Sequence, residues 1–191
     1  MKKQPIIILS ILFLLLFSIN SCKKGENDPF VSLSSRNARL IGTWELQQSD
    51  VLGHYEGEFY EEPYYSLQTF DGTILSTTES NDDTTYTYSY SQEIIFNEDG
   101  IFNISTTKDN QTNTMSDSWW WIDSDKNKTG IGFGNYYYED DFMEIDYNKL
   151  YINKLSSDEL VLEQNMEIKA LEDADSIKYV YSAIYKFSKK K

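Results

Sequence analysis

The stretch Ile177-Lys178-Tyr179-Val180-Tyr181-Ser182-Ala183-Ile184-Tyr185-Lys186-Phe187 decides the fold. Ile177, Tyr179, Tyr181, Ala183, Tyr185 and Phe187 fall on one side of a two-residue repeat, with Lys178, Ser182 and Lys186 on the other. Successive side chains of an extended chain point to opposite faces, so this pattern is a β-strand with one face buried and one solvated. Aromatic and β-branched residues suit such a half-buried pleated surface.

The same period recurs upstream. In Leu40-Ile41-Gly42-Thr43-Trp44-Glu45-Leu46-Gln47, Leu40, Trp44 and Leu46 share one face while Glu45 and Gln47 take the other. Tyr86, Tyr88, Tyr90, Ile94 and Phe96 alternate with Thr85, Thr87, Ser89, Glu93 and Asn97. Asn97-Glu98-Asp99-Gly100 is a turn whose glycine permits a positive φ, and Ile101 to Thr107 pairs back as the second arm of a hairpin. Short strands are expected around 64 to 70 and 73 to 78, between the turn signals at Pro63, Asp71-Gly72 and Asn81 to Asp83. Met115 to Ile122, Ile131 to Phe133, Phe142 to Lys154 and Glu159 to Gln164 supply further strands.

Two segments read less simply. Trp119-Trp120-Trp121 places indoles on both faces of one strand, which is therefore covered on both sides or presents an exposed aromatic platform. In Glu167 to Ser176, Ile168, Leu171 and Ala174 recur at helical spacing. About ten residues do not sustain a helix alone, so a long hairpin loop with one helical turn is expected there. Another helical turn is expected over Ser34 to Leu40, capped by Ser34 or Ser35. Strands joined by tight turns, with no sustained helix, pair antiparallel. A meander of about eight to ten strands closes into an all-β, antiparallel up-and-down barrel, because closure removes exposed edges.

The N-terminus is different material. Lys2 and Lys3 precede an apolar run from Ile6 to Phe17, which ends at Ile19-Asn20-Ser21-Cys22, the site of the only cysteine. From Pro5 to Ile19 this is about 15 residues, short of the roughly 20 that a spanning helix needs, so it reads as a secretory signal. A lone cysteine at the junction has no intramolecular disulfide partner and reads as the lipid attachment point of a lipoprotein. Residues 1–21 are then a signal peptide, 22–33 a lipidated polar tether and 34–191 the barrel domain. Acyl chains such as palmitate on Cys22 anchor permanently, at about 0.8 kcal/mol per buried methylene. Lys23 and Lys24 followed by Glu26 and Asp28 are similar to patches that send lipoproteins to the surface of Gram-negative bacteria. The expected location is the outer membrane, on its periplasmic or cell-surface face.

Charge removes whole classes of partner. The chain carries 17 basic and 31 acidic residues, a net charge of -14. Without Lys2 and Lys3 the balance is 15 to 31, about -16. Nucleic acid and anionic lipid heads are repelled by such a surface, so membrane attachment rests on the lipid. His54 is the only histidine, which leaves no material for a triad or a multi-histidine metal site. Glu61-Glu62, Asp82-Asp83 and Asp140-Asp141 are pairs that an acidic composition supplies by itself. Asp123-Ser124-Asp125-Lys126-Asn127 alternates oxygen ligands as a calcium loop does. However, its glycine comes only at Gly130 and Gly134 holds the closing carboxylate's place, so it reads as a turn. No catalytic residue, metal or cofactor is expected, and the chain is not read as an enzyme.

The segment Arg39-Leu40-Ile41-Gly42-Thr43-Trp44-Glu45-Leu46 resembles the opening of bacterial lipocalin-like lipoproteins, and Gly42-Thr43-Trp44 matches the Gly-x-Trp signature of lipocalins. The resemblance continues through Ile94 to Phe102, Trp119 to Asp123, Tyr151 to Leu162 and Tyr185 to Phe187. It implies a barrel closed at one end by Gly42 and Trp44, and non-enzymatic binding of a small apolar or amphipathic ligand. The chain lacks the disulfide cysteines of lipocalins and a clear arginine after the last strand. Lys186 or Lys189 is the candidate to hold a cation over Trp44 instead. From the face assignments, Tyr86, Tyr88, Tyr90, Tyr179, Tyr181 and Tyr185 line a ligand site if the barrel is hollow, and fill its core if it is packed. The alternative is a surface module binding glycan or protein through exposed aromatics, with Trp119 to Trp121 and Tyr136 to Tyr138 as candidates. Oligomeric state is not legible in the sequence.

Overall fold

The computed structural model describes residues 34–56, 64–80, 84–122, 129–134, 149–172 and 175–191. A short helix α1 (Arg36–Leu40) precedes ten strands: β1 (Gly42–Glu56), β2 (Tyr64–Phe70), β3 (Ile74–Glu79), β4 (Thr85–Phe96), β5 (Ile101–Lys108), β6 (Gln111–Ile122), β7 (Gly130–Phe133), β8 (Lys149–Leu155), β9 (Glu159–Glu172) and β10 (Asp175–Lys189). Each strand pairs antiparallel with its neighbours in the chain, and β10 returns to β1, so the meander is a closed barrel.

β10 explains why its alternation was so clean: it is sandwiched between two long partners. Phe187, Tyr185, Ala183, Tyr181 and Tyr179 face Leu46, Ser49, Val51, Gly53 and Tyr55 of β1. On the other side Phe187, Tyr185 and Ala183 face Leu160, Leu162 and Gln164 of β9. The expected hairpin loop over Glu167 to Ser176 is not present. β9 runs on to Glu172 and β10 starts at Asp175, with Ala170 opposite Ile177 and Leu171 opposite Ser176. A segment too short to hold a helix alone gains a full ladder of backbone hydrogen bonds from an adjacent strand, and the ladder wins.

The wall differs between its two ends. At the base, Gly42 to Glu45 of β1 pair directly with Phe96 to Glu93 of β4, whereas Ser49 to Tyr55 pair with β2. The β2–β3 hairpin is therefore inserted only toward the mouth. Opposite it, β7 and β8 join β6 and β9 through Trp119 to Ile122 and Leu160 to Glu163, near the base.

The base is solid. Trp44, Phe96, Phe102, Leu40, Ile131, Leu155, Leu160 and Leu162 are the largest fully buried side chains. Aromatic edges meet faces there, with Phe96 to Trp119 at 5.6 Å and Phe102 to Phe133 at 4.9 Å between centroids. Helix α1, N-capped by the Ser35 hydroxyl, closes the opening. Arg39 Nη1 donates to the Leu155 carbonyl at 2.7 Å, and Trp44 Nε1 donates to the Leu40 carbonyl at 2.7 Å. Lys189, rather than Lys186, covers Trp44: its Nζ lies 5.1 Å from the ring centroid and donates to the carbonyls of Arg39 and Ile41, each at 2.7 Å. Lys186 points outward and donates to Gln48 Oε1 at 3.0 Å. Gly42 has φ +125, and a Cβ there would lie 2.9 Å from Lys189 Cε, so the glycine serves both the backbone and the lysine.

The three indoles do not form a platform, because strand alternation splits them. Trp119 and Trp121 point inward with centroids 5.6 Å apart, and Trp121 Nε1 donates to Asn37 Oδ1 of α1 at 3.0 Å. Trp120 alone points outward, 41% exposed, its ring lying on Gly132. Cys22, residues 1–33, the three acidic pairs Glu61-Glu62, Asp82-Asp83 and Asp140-Asp141, Asp123 to Asn127 and Tyr136 to Tyr138 lie outside the described residues.

Candidate functional site

Above the base, size complementarity between β1 and β10 shapes the interior. Ser49, Val51 and Gly53 face Tyr185, Ala183 and Tyr181, so a row of small residues opposes a row that carries large rings. The Tyr179 ring passes 3.9 Å from where a Cβ on Gly53 would sit, and stacks on Tyr55 with centroids 4.3 Å apart at 29°. Tyr64 lies 5.9 Å from Tyr55, and Tyr181 lies 6.2 Å from Tyr179. The ladder of rings ends where the hydroxyls of Tyr181 and Tyr185 meet at 3.1 Å. Phe70 and Tyr90 pack edge to face beside it at 5.3 Å.

Exposure changes along the same inward face. At the base Trp44, Leu160 and Leu162 are fully buried, whereas Tyr55, Tyr64, Tyr179 and Tyr181 are half-buried although they point inward. Solvent therefore reaches inward side chains away from the base, and this end, the mouth, is lined by aromatic faces and hydroxyls.

Two phenols at the floor, those of Tyr185 and Tyr90, are held in the protonated form. Burial holds the Tyr185 hydroxyl far above the usual tyrosine range, helped by the Tyr181 hydroxyl and by Tyr90. Burial also pushes Tyr90 up, partly opposed by Thr106. Gln92 Nε2 donates to the Tyr90 hydroxyl at 3.2 Å. The floor therefore offers neutral O–H groups rather than phenolates. Among the described mouth positions, ionic side chains on the inward face are Glu79 and Lys108 at the rim and Asp117 on β6. Lys108 Nζ sits 3.4 Å from the ring centroid of Tyr88.

Of the six tyrosines expected to line a site, the structure brings Tyr90, Tyr181 and Tyr185 together at the floor and sets Tyr179 in the stack above. Tyr86 and Tyr88 remain at the rim, Tyr86 being 44% exposed. Gly42 and Trp44 sit at the base, away from the mouth. Tyr55, Tyr64, Ser49 and Gln164 were missed in sequence. The reason for the β1 residues is a bulge between Leu46 and Gln48, which shifts the inward parity from even to odd numbers. The only signal in sequence was the small row Ser49, Val51, Gly53, matched to the large row of β10. His54 points outward, with Nε2 3.5 Å from Glu56 Oε1, and has no place in the interior. Two shallow clefts of about 390 and 380 Å³ lie outside the barrel, at the β1 bulge and across β4 to β6.

A search with family models finds no match to the chain, and none of the curated proteins is similar to it in sequence. Among solved structures, it is similar to a polyisoprenoid binding domain from Saccharophagus degradans implicated in plant cell wall breakdown. That likeness has a TM-score of 0.26 and 8% identity, and covers 77% of this chain and 98% of the other. It is too distant to carry fold detail or ligand across.

Proposed function

We propose that this chain is a lipid-anchored, non-enzymatic barrel of the lipocalin-like lipoprotein kind, which takes a small apolar or amphipathic ligand into its mouth. The observation that carries the reading is the inward, half-exposed tyrosine ladder standing over a fully buried base. Ring faces supply apolar contact, and phenol hydroxyls supply orientation. Cys22 carries the lipid in this reading, and a chain with Cys22→Ser would remain in the soluble fraction while the parent partitions into membranes.

Among the described residues, the buried hydrophobic core lies between Leu40 and Phe187, so residues 34–191 are the segment to prepare. Native mass spectrometry of that domain, purified from a bacterial lysate, tests the binding role. A small retained mass, lost on denaturation, is the expected result; absence of one from both lysate and added apolar probes counts against it. A second reading rests on the outer wall, where exposed Leu52 faces exposed Leu67 across β1 and β2, with Tyr65 two residues away. Capture of a glycan or protein abolished by Leu52→Ser with Leu67→Ser, and unchanged by mouth substitutions, would favour that reading.

A further inference from the structure

We propose that the outer face of β4 to β6, from Trp120 up to a cleft beside Ile95, binds one strand of an uncharged polysaccharide. The site is separate from the mouth and from the Leu52–Leu67 patch, so it stands or falls without either.

The first observation is a single exposed indole. Trp44, Trp119 and Trp121 each donate their N–H, to the Leu40 carbonyl, the Asn97 carbonyl and Asn37 Oδ1. Trp120 has no such partner among the described residues and is 41% exposed. The ring atom nearest the Cβ position of Gly132 is the fusion atom Cε2, with its neighbours Nε1 and Cζ2 farther away, so the glycine lies under the ring face and not at its edge. The indole is thus laid flat on β7, which leaves its other face and its N–H for solvent or a ligand. A flat indole offers apolar surface to the C–H face of a sugar ring and a donor to a hydroxyl beside it.

The second is composition. On the same outward face, Ile101 faces Ser118, Asn103 faces Ser116 and Ser105 faces Thr114 across β5 and β6. β4 adds Ile95 beside Asn103 and Glu93 beside Ser105. Glu93 is the one ionisable side chain in this set, and Lys190 Nζ donates to its carboxylate at 2.6 Å. The chain is 25% charged, and its outward positions on β1, β9 and β10 carry Asp50, Glu163, Glu167, Lys178 and Lys186, so a hydroxyl face is not the default way in which this barrel meets water. The third is shape. Glu93, Ile95, Asn103, Ser105, Thr114 and Ser116 line a cleft of about 380 Å³. From Trp120 to Thr114 the strand runs about 20 Å, the span of several sugar rings.

Charge and hydrogen bonding then select the class. Among the described residues, the cations nearest this face are Lys190, held by Glu93, and Lys149 on β8 beyond Gly132, which already has a partner. Nucleic acid or an acidic polysaccharide therefore finds no free cation and meets a net charge of -14. A basic polymer would meet Glu45, Glu98 and Asp99 only at the margin. An alkyl chain would cover the hydroxyls and the Asn103 amide without giving them partners. A protein needs a cluster of large anchors, whereas beyond Trp120 and the two isoleucines this face carries small polar side chains. A neutral polyol both donates and accepts, and so pairs with serine, threonine and amide groups alike.

The test is retardation of the full chain, in a polyoxyethylene detergent, through native gels containing barley β-glucan, galactomannan or dextran, with polygalacturonate as the charged counterpart. At least one neutral polymer should retard it, and polygalacturonate should not. Trp120→Ala should weaken the retardation about tenfold or more, and Asn103→Ala with Ser116→Ala about three- to tenfold, while Lys186→Ala on β10 should leave it unchanged. Acrylamide quenching of tryptophan emission should fall when the polymer is added, because Trp120 is the exposed indole of the four, and should not fall in Trp120→Ala. Each variant is first checked for an unaltered thermal transition; if Trp120→Ala fails that check, the pair in the cleft carries the comparison. Retardation by none of the neutral polymers, equal retardation by polygalacturonate, or binding that survives both sets of substitutions would overturn the proposal. None of these results bears on the mouth, whose expected ligands are small apolar molecules.

Discussion

Trp44 is held from three directions: its indole N–H by the Leu40 carbonyl, its ring face by Lys189, and its edges by the buried base. Truncation leaves a large cavity that α1 and the strands are too firmly tied to fill. Trp44→Ala should therefore cost about 3 to 5 kcal/mol in a urea titration, and a loss under about 1 kcal/mol would show that the indole is not a core plug. Tyr185 makes a different prediction, one about pH. An acid whose folded pKa is raised above its unfolded value of about 10 stabilises the fold below that pH, and the contribution is lost as pH rises toward the folded value. The urea midpoint should fall between about pH 9 and about pH 11, and should fall less in Tyr185→Phe. Both residues were visible in sequence as members of strongly alternating rows. The lysine over Trp44 was narrowed only to two candidates, because parity near a barrel end depends on where pairing stops.

At the scale of elements, the Trp120–Gly132 contact shows why β7 can be short and contain glycines. A Cβ on Gly132 would lie 2.2 Å from the Trp120 ring, so the indole substitutes for the side chain that the glycine lacks. Gly132→Ala should destabilise by about 1 to 3 kcal/mol, because the ring has to leave its bed. If the contact is the cause, the penalty should shrink when Trp120→Ala is already present, which a double-mutant cycle measures directly. The bulge in β1 is the other element-level device. It turns Leu46 and Ser49 to the same interior, bringing Tyr55 into the mouth and sending Leu52 and His54 to the outside. Helix α1 was legible from Ser35, whose hydroxyl accepts from the Ala38 amide at 3.1 Å. The extension of β9 and β10 was not, since nothing local in Glu167 to Ser176 shows that a partner strand will lie alongside.

Over the whole molecule, order is graded from base to mouth. The base ring is closed by β1 and β4 and packed with fully buried side chains, while the β2–β3 hairpin adds strands whose residues are mostly half-buried or exposed. Hydrogen exchange should follow that gradient. Amides of Trp44 to Leu46 and Leu160 to Leu162 are expected to exchange at least about tenfold more slowly than those of Leu67 to Thr69 and Ser76 to Thr78. Equal protection at both ends would mean that the barrel opens as one unit. Charge is also distributed by side: outward positions of β3 to β6 are largely Ser and Thr, whereas β1, β9 and β10 carry Asp50, Glu56, Glu163, Glu167, Lys178 and Lys186.

The sequence by itself determined that the chain is a meander of antiparallel strands, that it closes, and that Trp44 and the Tyr179 to Phe187 row face inward. Side-chain alternation is a property of the extended backbone and needs no partner to be read. Only the tertiary structure decided which tyrosines share the mouth, that Trp119 and Trp121 are interior while Trp120 is not, and that inward side chains are fully buried at one end and partly exposed at the other. Those depend on a bulge, on pairing register and on which strands reach each level, and they are set by contacts between segments distant in the chain.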